Sequence, residues 1–179
     1  MRIHKLNSKA KIAIGIILLV CCIYAINIHR DRNYRAFRNE VLVMDKSVNT
    51  VELNSLTPFE WDKVYFFAPY VGGDMIYEVI GYRFGRVSPP QTNQNMQLVF
   101  IKNEKVVCYD HGNHSSDNYS IWYGFDYHSG QPQYAVLNSK DNPIFAVSHD
   151  RRFTFITYPV DYKRLEPQER DENDSPIPF

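Results

Sequence analysis

The sequence predicts an α+β fold: an N-terminal transmembrane helix and a stalk helix, then a short helix packed on an antiparallel sheet of about five or six strands. Three observations carry that expectation. Residues Ile12 to Ile26, IAIGIILLVCCIYAI, hold no charged side chain. Behind them Tyr34, Phe37, Val41, Met44 and Val48 recur at spacings of 3, 4, 3 and 4, the period of an amphipathic helix. From Met96 onward apolar residues change to a period of two, the rhythm of a half-buried strand.

The apolar run follows a basic start of Arg2, Lys5, Lys9 and Lys11. A bilayer core about 30 Å thick takes roughly 20 helical residues, with about 17 as the lower limit. Carried across Asn27, residues 12–28 reach that limit. A cleaved secretory signal is the competing reading, but no A-x-A site follows, since Ala25 precedes Ile26 and Asn27. A lipidated cysteine is a further alternative, and neither Cys21 nor Cys22 has the small residue before it that such a signal wants. Arg30, Arg32, Arg35 and Arg38 follow the segment, so the Lys and Arg balance across it is close. A short basic start ahead of the apolar segment resembles a signal anchor. The expectation is therefore a single-pass protein of the plasma (inner) membrane, with its C-terminal domain extracytoplasmic in the cell envelope.

The net charge of zero hides a split. Residues 1–38 hold 8 basic and 1 acidic side chains, leaving 12 basic against 19 acidic in residues 39–179. The basic part is juxtamembrane, where each Lys or Arg gains about 1 kcal/mol from anionic headgroups. Nucleic acid is excluded as a partner of the acidic remainder, because counterion release needs a basic surface. The membrane is one expected partner, with an envelope protein or wall component as the other. Cys108 is the one cysteine beyond the apolar segment, which leaves the domain without an internal disulfide and predicts a buried thiol.

The chain divides into a basic segment (1–11), the anchor (12–28), a helical stalk (29–56), an α+β domain (57–162) and an acidic, proline-containing tail expected to be disordered (163–179). The stalk's narrow stripe reads as a layer packed on the domain, with a dimer seam as the alternative. Thr57-Pro58 breaks the helix. Trp61 to Phe67 is then a strand with apolar groups on both faces. Gly72 and Gly73 turn the chain, Asp74 is placed as an N-cap, and Met75, Ile76, Val79 and Ile80 face the core from a short helix closed by Gly81. Met96 to Ile101 and Lys105 to Tyr109 flank Lys102-Asn103-Glu104 as a hairpin. Tyr119 to Tyr127, Gln133 to Leu137, Ile144 to Ser148 and Phe153 to Tyr158 follow as strands, with sequential antiparallel pairing expected.

The block PFEWDKVYFFAPY at Pro58 to Tyr70, with DMIYEVIG at Asp74 to Gly81 and LVFIKNEKVV at Leu98 to Val107, resembles a scattered group of uncharacterised bacterial membrane-anchored or lipoprotein-like proteins. Their pattern is an FxWDxxYxFxPY strand after an N-terminal anchor, a short helix ending in glycine, and a hairpin. The resemblance covers roughly Pro58 to Tyr109 and implies localisation and architecture; with no activity assigned to the group, it carries over no catalytic residue. Gly72-Gly73 departs from the Thr and charged residues that precede the helix in that pattern.

Two constellations invite chemistry. Trp61, Tyr65 and Tyr70, with Glu60 and Asp62, are the candidate ligand-binding set: an aromatic platform for a glycan or peptide, or a carboxylate pair on one strand face for acid and base work. The bland alternative is that the aromatics are core and the carboxylates solvated. Cys108, His111 and His114 are the nearest approach to a metal site. H-x-x-H in a loop is not the helical H-E-x-x-H of zinc proteases, so neither a metal nor a cofactor is expected. No G-x-S-x-G elbow, phosphate-binding P-loop or G-x-G-x-x-G is present. These readings converge on a membrane-tethered, non-enzymatic binding domain. The alternatives are an enzyme acting on envelope glycan or peptide, and an inhibitor or immunity-type protein using its acidic tail.

Overall fold

Between Ser8 and Leu42 the sequence holds no proline and a single glycine, Gly15, so no local breaker separates the apolar run from the amphipathic stripe. In the computed structural model the two form one continuous helix, α1 (Ser8–Leu42). The structure describes residues 8–85, 87, 96–111, 118–124 and 134–158, without the side chains of 8–11 and 23–30. The tail 163–179 and His114 lie outside the described residues.

The stripe on the second half of α1 is buried. Phe37 and Val41 have no exposed surface, and Tyr34 and Met44 pack against the same cluster. Packing on the domain is therefore the outcome, and the helix expected as far as residue 56 ends at Leu42. The Val43 N–H donates to the Asn39 carbonyl at 3.0 Å as the last turn closes. Asp45 then accepts both the backbone N–H (2.8 Å) and the hydroxyl (2.7 Å) of Ser47, an Asx-type turn that diverts the backbone from the helix. Strand β1 (Thr50–Glu52) and the single turn α2 (Leu53–Leu56) follow, because pairing with a distant strand satisfies this backbone.

Seven more strands follow: β2 (Lys63–Phe67), β3 (Gln97–Lys102), β4 (Lys105–Asp110), β5 (Tyr119–Tyr123), β6 (Tyr134–Asn138), β7 (Ile144–Asp150) and β8 (Phe153–Tyr158). Helix α3 (Gly73–Ile80) lies between β2 and β3, and a 3-10 turn (Ser139–Asp141) joins β6 to β7. The expected single sheet is instead two four-stranded sheets, ordered β4-β3-β2-β6 and β1-β7-β8-β5. Sequential antiparallel pairing holds for β2 with β3 and for the β3–β4 and β7–β8 hairpins. Elsewhere it fails: β6 joins the far side of β2, β1 pairs with β7, and β5 lies parallel to β8. Alternation tells a strand which face is apolar and leaves its hydrogen-bonding partner open.

The sheets face each other across one core. Val64, Phe66, Leu98, Phe100 and Cys108 project from the first, and Tyr119, Ile121, Phe145 and Ile156 from the second, with Phe66 and Phe145 ring centroids 6.0 Å apart. Phe37 of α1 enters this core edge-on to Phe100 (5.4 Å). One extra residue in β4, Val107, makes a bulge, because Ile101 pairs with Val106 and Phe100 with Cys108. The Asn33 amide donates to the Val107 carbonyl at 2.9 Å, so α1 covers this edge strand.

The other face of the first sheet carries Phe67, Val99, Ile101, Val106 and Tyr109, covered by Ile76 and the flanking Met75, Val79 and Ile80 of α3. Gly81 closes that helix at φ 90°, where its N–H donates to the Tyr77 carbonyl. The N-cap is Gly72; Asp74 lies inside the first turn and pairs with Arg83 at 3.1 Å. A backbone cap at Gly72 leaves the Asp74 carboxylate free to reach Arg83.

Candidate functional site

The ligand-binding set predicted from the sequence does not assemble as one platform. Alternation along β2 sends Val64 and Phe66 into the inter-sheet core, whereas Tyr65 and Phe67 face α3. Trp61, just before β2, is 4% exposed. Its indole N–H donates to the Thr57 hydroxyl at 2.8 Å and its ring stands edge-on to Phe100 at 5.6 Å. Trp61 is therefore part of the core. Tyr70 is 64% exposed with φ 72°, at a turn where the Val71 N–H donates to the Ala68 carbonyl.

Glu60 and Asp62 do come together, through a cation. Lys102 Nζ lies 2.9 Å from Asp62 Oδ1 and 3.4 Å from Glu60 Oε2. Asp62 Oδ2 accepts the Asn103 N–H at 2.8 Å, while the Asp62 backbone donates to Ile101 and accepts from Ser139. One residue thus fastens the β3–β4 turn to the start of β2 and the end of β6. The Asn103 N–H first, then Lys102, hold the Asp62 carboxyl below its ordinary value. The Lys102 ammonium is held above its own, chiefly by Asp62. A general acid needs the opposite displacement.

Beside this clamp lies a cleft of about 520 Å³. Tyr65 and Ile101 of the sheet line it together with Ile80 and Tyr82 at the end of α3, and the carboxylates of Asp62 and Glu104 flank it. The Tyr65 ring is stacked on Phe67 (6.2 Å, 13° between planes), and the Tyr82 hydroxyl accepts the Val106 N–H at 2.6 Å. Both rings are therefore held in place before anything binds. Asp62 and Tyr65 are the two predicted residues that the fold brings to one cavity. Tyr82 and Glu104 were not singled out by the sequence, because neither sits in a motif; the helix C-cap and the hairpin turn place them.

The thiol and imidazole candidates part company. Cys108 is fully buried and opposite Phe100, as the strand pattern predicts for an unpaired thiol. β4 continues through Asp110, so Cys108 and Asp110 do share a face, and the buried Asp110 carboxylate accepts the Tyr119 hydroxyl at 2.9 Å. His111 instead packs its ring against Tyr34 (5.3 Å) and Tyr109 (6.3 Å). Among the described residues no group of three His, Cys, Asp or Glu converges on a metal position. His149 lies on β7, where Nδ1 is 3.2 Å from the Thr154 hydroxyl and the buried Nε2 has no partner among the described residues.

Compared with family models, curated proteins and solved structures, the chain matches none.

Proposed function

We propose that this chain is a membrane-tethered, single-pass envelope protein whose extracytoplasmic α+β domain binds a partner and performs no catalysis itself. The observation that carries this reading is the contrast between the two halves of α1. At Phe37 and Val41 the helix enters the core; from Ile12 to Val20 every large apolar side chain is exposed, between 47% and 64%. A helix apolar all round requires an apolar surrounding, and no described element of the domain provides one. Among the described residues no helix is long and apolar enough to cross a membrane. The described apolar side chains end at Cys22, and the sequence carries the run on to Ile28.

Continuity of α1 also changes how the domain is held. Asn33, the first described side chain of α1 bonded to the sheet, follows Ile28 by a rise of roughly 7.5 Å. That is close to the roughly 5–8 Å depth of the headgroup layer on one side of a bilayer. The domain thus sits flush on the headgroups, without the spacing a separate stalk would give, and the exposed Arg32 lies within the headgroup layer. Binding in preference to catalysis is supported by the Lys102 clamp, which keeps Asp62 ionised and engaged. Protease added to intact spheroplasts should degrade the domain, and carbonate washing should leave the chain in the membrane fraction. Recovery of the intact chain as a freely soluble cytosolic protein would overturn the proposal.

A further inference from the structure

We infer that the cleft between α3 and the β3–β4 turn receives a primary ammonium on an aliphatic stem, the side chain of a lysine or similar diamino acid presented by a peptide. This deepens the binding-domain reading above by naming what the domain recognises. The cleft, at about 520 Å³, falls in the range of about 300–1,000 Å³ usual for ligand sites. Its walls suit a chain of methylenes with a charge at the tip. Ile80 and Ile101 offer apolar surface to the stem, and the Tyr65 and Tyr82 rings border the cleft as aromatic partners for a cation.

Charge decides the sign of the ligand. Asp62 and Glu104 line the cleft against one lysine, Lys63. The C-terminal end of α3, at Ile80 and Gly81, adds the negative pole of a helix, and the last turn carries no basic residue to neutralise it. Arg83, the nearest cation in sequence, is turned back along the helix, 3.1 Å from Asp74 and over the Tyr77 ring at 4.9 Å. Lys102, itself outside the lining, is taken up by Glu60 and by Asp62 of the cleft wall, so the Asp62 charge is matched. With Asp62 already matched by Lys102, the Glu104 carboxylate and the helix C-terminus are what an ammonium meets as complementary charge and an anion meets as repulsion.

The test uses the full chain in lipid nanodiscs, with acetyl-Ala-Lys-Ala-amide as the probe and its Nε-acetylated counterpart as the comparison. Amide shifts of Gly81 and Asn103 report the cleft, and those of Gly124 serve as a remote control. The lysyl peptide should move Gly81 and Asn103 saturably, and acetylation should weaken binding by about tenfold or more. Glu104→Gln, at an exposed turn that needs no refolding, should weaken it about two- to fivefold. Equal binding of both peptides would overturn the ammonium while leaving a binding cleft. No movement of Gly81 with either peptide up to about 10 mM would overturn the cleft as their site. Membrane retention is unchanged in every case, so failure here is distinguishable from failure of the tether.

Discussion

Substituting Phe37 with alanine separates a helix that shares the core from one that merely carries it. Phe37 has no exposed surface and lies edge-on to Phe100 at 5.4 Å and to Tyr119 at 6.5 Å, touching both sheets' contributions to one cluster. Truncating a buried phenylalanine costs about 3–5 kcal/mol, from lost burial and from the cavity that its neighbours only partly close. Set against about 5–15 kcal/mol for a typical domain, that is a large fraction of the total. Urea unfolding of the full chain in micelles, followed by the fluorescence of buried Trp61 and half-buried Trp122, should show a midpoint lowered by about 2 M with an unchanged slope. Arg35→Ala, exposed on the same helix, should change stability by no more than about 0.5 kcal/mol. A loss below about 1 kcal/mol for Phe37→Ala would mean that α1 is a detachable stalk and that the domain is complete without it.

Further substitutions test the remaining steps. Val20→Arg places a charge on the apolar half of α1 and should weaken membrane insertion by about 2.5–3.5 kcal/mol while leaving the domain folded; undiminished retention in carbonate-washed membranes would contradict the anchor. Trp61→Phe removes the hydrogen bond to Thr57 and should cost about 1–2 kcal/mol in the same unfolding assay, with no change in lysyl-peptide binding. Loss of binding in that folded variant would return Trp61 to the ligand surface. Asp62 titrates below its ordinary value in the folded chain, so its contribution is present above that ordinary value of 3.8 and fades as pH falls through the depressed folded value. NMR titration of the carboxyl should find the lower midpoint, and in Asp62→Asn the Asn103 amide should exchange faster at neutral pH and lose its acid-dependent step. A wild-type midpoint at or above 3.8 would refute the clamp.

What the sequence determined by itself were the features whose cause is local. The end of α3 at Gly81 follows from the one residue that takes a left-handed φ without strain, and the β3–β4 turn from three polar residues between two alternating runs. β8 occupies Phe153–Tyr158 as its alternation predicts, and Cys108 is buried as an unpaired thiol in a strand should be. The cleft was half legible, because Asp62 and Tyr65 lie in a conspicuous aromatic block whereas Tyr82 and Glu104 do not.

Only the tertiary structure decided which strands meet and which side of each residue is wet. A period of two marks an apolar face, yet the partner of a strand is chosen by backbone groups remote in sequence; hence β6 lies beside β2, β5 runs parallel to β8, and α1 gives way to β1. The same long-range choice turned Trp61 from a candidate platform into core, because the face of β2 beside it looks toward the second sheet. It also made the stalk part of the domain, since Phe37 and Val41 gain more by joining that core than a helix standing in water could gain alone.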